Sequence, residues 1–254
     1  MRQQKTRKTL LLISMLLFPV TLNYFSPYLI VQGSFAGIAT GSFLLFGALF
    51  GFSLVFGRAF CSWLCPAGGL QEACSQVVNK PASRKQNLIK FLIWVPWVLS
   101  ILAGFMSAGG IKDLNPIYFT DYGISVSAPP AFITYFAVVL LIVSVSLVFG
   151  RRSFCHSLCW MAPFMVLGNT LKNKLGYPSL HLETRTEDCI SCKKCDRACP
   201  MSLKVQEMVQ NRDMNSNECI LCGSCQSVCP KKALRVGFGA QKDSVSKRSY
   251  TEGA

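Results

Sequence analysis

A chain of 254 residues that is 51% hydrophobic, with mean hydropathy +0.36, is too apolar for an ordinary soluble domain. Its formal charge of +14 is compatible instead with a membrane protein whose basic residues gather on one side. No base-reading motif accompanies that charge, which sets nucleic acid aside as a partner.

Thr9 to Val31 is apolar after a basic start at Arg2, Lys5, Arg7 and Lys8. It is expected to be a first spanning helix, bent at Pro19 and ended near Pro27. A cleaved leader fits less well, because the run outlasts a leader's apolar core and no small-residue cleavage site follows. Gly37 to Phe56, Phe91 to Gly110 and Ala131 to Gly150 carry no charge. Each has about 20 residues, the length that crosses about 30 Å of hydrocarbon. Four spans put both termini on one side. Of the 26 Lys and Arg, only Lys112 falls outside the segments on that side, which is therefore read as cytoplasmic in a multi-pass protein of the cell (inner) membrane.

The membrane part repeats itself. Ser53 to Arg58 and Ser146 to Arg151 both read SLVFGR, and each is followed by Phe and a C-x-x-x-C pair, Cys61 with Cys65 and Cys155 with Cys159. A duplicated unit of two spans and a dithiol, both copies running the same way, explains this. Pro66 favours a new helix over Ala67 to Val78, with Cys65 at its N-terminus and Arg58 nearby to lower the thiol pKa. In the second copy Arg151 and Arg152 supply the charge, while Trp160 stands where the proline was. Three readings stay open for these four cysteines: a third metal centre between the halves, redox dithiols, or buried apolar residues. Cys74, outside the repeat, is read as a small core residue.

The outer loop, Ile111 to Pro130, carries Asp113, Asn115, Pro116, Tyr118, Phe119, Asp121 and Tyr122. Its aromatics read as an interfacial belt, with a quinone or partner contact as the functional alternative. His156 and His181 are the only histidines and lie in no haem-binding pattern. Met161 to Leu175 is expected as a surface helix with Lys172 and Lys174 toward anionic lipid. Tyr177 to Glu187 reads as a linker.

The strongest signal is Cys189 to Pro230, which holds C-x-x-C-x-x-C-x-x-x-C-P twice. This is the spacing by which bacterial-type ferredoxins hold two 4Fe-4S clusters, the fourth cysteine of each copy serving the other cluster. The assignment is Cys189, Cys192, Cys195 and Cys229 for one cluster, and Cys219, Cys222, Cys225 and Cys199 for the second. Structural zinc uses paired C-x-x-C motifs without the third cysteine or the closing proline, and disulfides need an oxidising compartment. Ser202 to Arg212 has helical spacing, with Leu203, Val205, Met208 and Val209 available to cover a cluster. Ala233 to Phe238 reads as a closing strand. Lys193, Lys194, Arg197, Lys231 and Lys232 surround the cysteines, either as a solvated face or as a dock for an acidic carrier.

The expected fold is mainly α. A four-helix transmembrane bundle (1–176) precedes a small α+β di-cluster ferredoxin module (177–240) and a disordered polar tail (241–254). The motif order FGRAFCSWLCP, a second FGR with C-x-x-x-C, then two 4Fe-4S motifs resembles the NapH/MauN-type ferredoxin-like membrane proteins and, more distantly, the NosR and CcoG polyferredoxins. The resemblance implies a quinol dehydrogenase-like membrane component that links the quinone pool to a redox partner or complex subunit. An accessory factor supplying electrons for assembly of another metalloenzyme is the alternative. Two departures are the missing proline after Cys159 and the lack of any counterpart, in these residues, to the flavin-bearing domain of larger relatives.

Overall fold

The computed structural model describes residues 2–83 and 85–239, so the expected tail at 241–254 lies outside the described residues. The chain opens with α1 (Arg2–Leu16) and α2 (Phe18–Thr21), then a 3-10 turn at Leu22–Phe25 and α3 (Pro27–Ala36). The axis turns by 60° between α1 and the Phe18–Phe25 stretch. Pro19 and Pro27 each sit in the first turn of a new helix, because a proline lacks the N–H that would continue the preceding one. The span expected over Thr9 to Val31 is therefore a chain of short, bent segments.

Gly37 ends α3 in the left-handed region at φ 71°. Ile38–Thr40 (β1) then pairs in parallel with Asp113–Asn115 (β2) of the outer loop. The Thr40 hydroxyl accepts the Phe43 N–H and starts α4 (Gly41–Phe56). With 16 residues, α4 reaches only about 24 Å at about 1.5 Å per residue, short of a bilayer core. After it come α5 (Ala59–Trp63), α6 (Pro66–Val77), α7 (Gln86–Ala108), α8 (Pro129–Phe149), α9 (Ser153–Ser157) and α10 (Met161–Leu175). Of the four expected spans, α7 and α8 stand as single helices long and apolar enough to cross a membrane, and the bent α1 stretch makes a third if taken as one span.

The duplicated sequence produces duplicated packing. α4 lies on α10 and α8 lies on α6, so the surface helix of each copy rests against the long helix of the other. α1 packs on α5 and α6 as α7 packs on α9 and α10. Close crossings depend on missing side chains: a Cβ on Gly168 of α10 would strike the Ser53 hydroxyl of α4, and one on Gly104 of α7 would strike Ser34 of α3. Phe46, Ile142, Ala162 and Met165 fill the interior between the copies.

The C-terminal part is framed by β3 (Ser179–Thr184) and β4 (Leu234–Gly239), an antiparallel pair in register from Ser179 opposite Gly239 to Thr184 opposite Leu234. The stretch expected as a linker is thus mostly a strand, since Leu180 and Leu182 alternate with polar residues and have a partner from the far end of the module. Inside the ribbon lie α11 (Lys194–Ala198), α12 (Val205–Gln210) and α13 (Ser224–Val228). α12 is shorter than the expected Ser202 to Arg212, with Val205 and Val209 buried. Lys172, expected to face lipid, is buried and donates to the Leu180 carbonyl at 2.7 Å, which ties α10 to this ribbon.

Candidate iron-sulfur sites

The two ferredoxin-type copies share one backbone. Positive φ at Ser191, Lys193 and Ser202 recurs at Leu221, Gly223 and Lys232, in each case 30 positions later (191 to 221, 193 to 223, 202 to 232). Only one of these six positions is glycine, and each of the others costs roughly 1 kcal/mol. Such strain persists where the surroundings over-determine the turn. Here the turns aim amides at sulfur: Leu203 and Met201 donate to Cys199, Leu221 to Cys219, and Ala233 to Cys229 at 3.3 Å. Burial nonetheless drives Cys199 up to about 11 and Cys219 to about 12. They become thiolates readily only when bound metal takes the proton's place.

Cys199, Cys219, Cys222 and Cys225 border one hollow, backed by Leu182, Val205 and Ile220. Cys189, Cys192, Cys195 and Cys229 border another. Each hollow takes three cysteines from one copy and the fourth from the other. Among the described residues, no three His, Cys, Asp or Glu side chains converge around a single point as they would on one ion. Four thiols, amide donors to sulfur and an apolar wall fit a 4Fe-4S group.

The fold also brings the two C-x-x-x-C pairs together. Cys61, Cys65, Cys155 and Cys159 are all buried, and each of Cys61, Cys65 and Cys159 lies within electrostatic reach of other members of the set. Cys65 is the residue before α6, with the Gly68 N–H directed at its sulfur, while Cys159 lies just before α10, with those of Met161 and Ala162 directed at its own. Trp160 in place of a proline therefore leaves the second helix start intact. Gln71 Nε2 donates to Cys155 Sγ at 3.1 Å, and Cys61 Sγ lies 3.5 Å from Met165 Sδ. The lowered thiol pKa expected from Arg58 is overturned. Burial outweighs Arg58 at Cys61, pushes Cys65 well up, and lifts Cys159 to about 12. Cys74 is only half-buried.

Two buried guanidiniums accompany these thiols. Counted back from Phe60-Cys61 and Phe154-Cys155, Arg58 and Arg152 occupy equivalent places, and both are essentially unexposed. Arg151 is the inserted residue. It donates to the Arg197 carbonyl, so the charge expected from both arginines comes from Arg152 alone. Arg58 donates to Glu218 Oε2 at 2.5 Å, and Lys90 to Glu218 Oε1 at 2.6 Å. Arg152 donates to Glu72 at 3.0 Å and to the Cys61 carbonyl at 2.7 Å, while Arg7 forks onto Glu72. Each carboxylate thus holds one cation of the repeat loop and one of a preceding helix. Burial opposes ionisation of Glu218, yet Arg58 and Lys90 hold it at about 2, and Arg7 and Arg152 likewise keep Glu72 below its usual range. Arg58 Nε and Nη2 and Arg152 Nε remain buried without a partner.

Sequence reasoning missed Glu72, Glu218, Lys90 and Arg7. One signal was present: Glu72 is the only acidic residue before Asp113. His156 is buried beside Asn87 and burial drives it down to about 4, so it stays neutral. In the outer loop Phe119 and Tyr122 are exposed with left-handed backbones.

The chain matches a 4Fe-4S binding domain twice, at 38–85 and 131–178, and a 4Fe-4S dicluster domain at 181–230. It is 29% identical over 235 residues to the putative electron transport protein YccM of Escherichia coli, covering 88% of this chain and 62% of that protein. It is 24% identical over 180 residues to the methylamine utilization ferredoxin-type protein MauN of Paracoccus denitrificans, covering 68% of this chain and 60% of that one. The MauN of Methylorubrum extorquens is 28% identical over 189 residues, with coverages of 68% and 59%. The chain spans 59 to 62% of the length of these three relatives. No solved structure matches. Both sets of cysteines fall in 4Fe-4S domain matches, and with these relatives the chain is a MauN/NapH-type 4Fe-4S ferredoxin-type protein.

Proposed function

We propose that the chain carries electrons between the membrane quinone pool and a redox partner, with its cysteine sites on the cytoplasmic side of the cell membrane. The observation that carries this reading is the direct tie between its two cysteine regions. Arg58 reaches Glu218, the residue before Cys219. From α5, the Ser62 hydroxyl donates to the Ile220 carbonyl at 2.7 Å and the Trp63 indole to the Leu221 carbonyl at 3.5 Å. The thiols of the repeat are thus backed directly onto the Cys219 to Cys222 loop.

The residues proposed as ligands are Cys189, Cys192, Cys195 and Cys229 for one cluster, and Cys219, Cys222, Cys225 and Cys199 for the second. Cys61, Cys65, Cys155 and Cys159 are proposed to hold a third 4Fe-4S centre. Such clusters, when bound, supply one-electron acceptor sites whose potentials respond to hydrogen bonds at sulfur and to burial. At the repeat, Gln71 and the amides of Gly68, Met161 and Ala162 would donate to ligand sulfur. The unpaired N–H groups of Arg58 and Arg152 would balance an anionic centre in a buried setting. Raised thiol pKa values at Cys65 and Cys159 favour a metal site over free dithiols cycling near neutral pH.

Iron and sulfide analysis tests this. The purified protein is expected to hold about 12 irons, falling to about 8 when Cys61, Cys65, Cys155 and Cys159 are changed to Ser, since each cubane holds about four. About 8 in both forms sinks the third centre. Anaerobic quinol should bleach the visible absorbance of the intact protein, and no response removes the quinone link. The alternative, electron supply for assembly of another metalloenzyme, draws on relatives named for methylamine utilization. It would be selected by quinol inertness together with reduction by a soluble donor.

A further inference from the structure

Between α1, α6 and the ferredoxin-type stretch lies a cavity of about 380 Å³ that no cysteine lines, sharing only Glu72 and Arg152 with the surroundings of the repeat cysteines. Its wall carries Arg7, Lys8, Arg151, Arg152 and Arg197 against a single carboxylate, Glu72. That carboxylate is already taken by Arg7 and Arg152. Among the described residues Lys8, Arg151 and Arg197 form no ion pair. Arg151 Nε is buried without a partner. The backbone reinforces the crowding, because Arg151 donates to the Arg197 carbonyl at 2.7 Å and so keeps two guanidinium chains at one wall. Like charges held together in a partly desolvated space repel unless an anion joins them.

We propose that this cavity binds a phosphate-bearing anion. Guanidinium groups match phosphate oxygens in pairs, and the hydroxyl of Ser224 on the same wall adds a neutral donor, while those of Ser75 and Ser227 already donate to the Glu72 and Ser224 carbonyls. A space of this size exceeds one phosphate and falls in the range of small organic ligands. The anion's phosphate can belong to a phospholipid headgroup or to a soluble phosphate compound. The lipid source has a path to the site, since Lys8, Leu12 and Leu16 share one face of α1, with Leu12 and Leu16 exposed along it. Either source would bind Arg197, from the ferredoxin-type stretch, and Arg151 and Arg152, from the repeat loop, to one ligand. The site is independent of any quinone link.

The test uses full-length protein with its iron, as wild type, as Lys8→Gln/Arg197→Gln, and as Lys8→Gln alone in case the double variant does not fold. Unchanged iron content is the fold control. In one arm, phosphorus and native mass are measured after exchange from phosphatidylcholine discs with and without phosphatidylglycerol. About one phospholipid retained by wild type, and lost or weakened roughly tenfold in the variants, assigns a headgroup. In the other arm, inorganic phosphate and pyrophosphate are titrated into lipid-depleted protein. Saturable binding weakened roughly tenfold in the variants assigns a soluble source. Wild type that retains no phospholipid and binds neither anion, or variants that bind as well as wild type, overturns the proposal.

Discussion

Glu218 shows how single residues hold the two regions together. One partly buried carboxylate answers both Arg58 and Lys90, neither of which has meaningful contact with water. Glu218→Gln keeps the shape and removes the charge, leaving two buried cations uncompensated. Breaking a buried pair in this way costs roughly 3–5 kcal/mol. Denaturant unfolding of the wild-type and variant proteins in the same detergent should show that loss, while Glu218→Asp keeps part of the stability. A loss under about 1 kcal/mol would mean that Arg58 is held by other contacts. At this scale the eight ferredoxin-type cysteines were plain in the sequence, because their spacing is a local covalent pattern. Glu72 was not, because Arg7 reaches it across 65 positions of chain and only the packing of α1 on α6 brings them together.

At the scale of elements, what was legible follows from local chemistry and what was missed from pairing. Cys65-Pro66 announced the start of α6, and α10 runs from Met161 to Leu175 as the sequence pattern indicated. β3 escaped notice because its partner, β4, lies about 50 to 60 positions later, and neither strand is stable alone. The short length of α4 was hidden because Ile38 to Thr40 are apolar enough to read as span yet are held as β1 by the outer loop. The SLVFGR repeat announced two similar units, but not that each surface helix crosses to the other unit. Gly168 is where that exchange is most sensitive. An added methyl there meets the Ser53 hydroxyl and lies 3.1 Å from the Phe50 carbonyl, so α10 must move off α4. Gly168→Ala is expected to cost about 1–3 kcal/mol by overpacking. Gly51→Ala on α4, with nothing within 4 Å of the new atom, should be neutral or gain up to about 1 kcal/mol from helix propensity. Thermal unfolding of the two variants side by side checks this, and equal midpoints would refute the close crossing.

For the whole molecule, the question is what keeps the cysteine-rich end folded. Its helices α11, α12 and α13 have five, six and five residues, far below the roughly 12–15 that an isolated helix needs. Six left-handed residues add strain, and the frame is one two-stranded ribbon. The membrane half supplies anchors at the Glu218 ion pairs, at Ile220, and at the Cys222 carbonyl, which accepts from Gln4 at 2.8 Å. These grip the inner set of cysteines. The outer set has less support, chiefly the Arg151 bond to the Arg197 carbonyl: Cys192 is exposed, as are Lys193, Lys194, Lys231 and Lys232 around it. Metal binding is therefore expected to supply most of the folding free energy of the outer part. Anaerobic chelation should first open Cys189 to Cys195 to protease, with sites near Cys219 to Cys225 cut later or not at all, while the helical signal of α7 and α8 persists. If iron removal leaves the cleavage pattern unchanged, the protein anchors alone fold this end, and the cysteines are held ready for the clusters before any metal arrives.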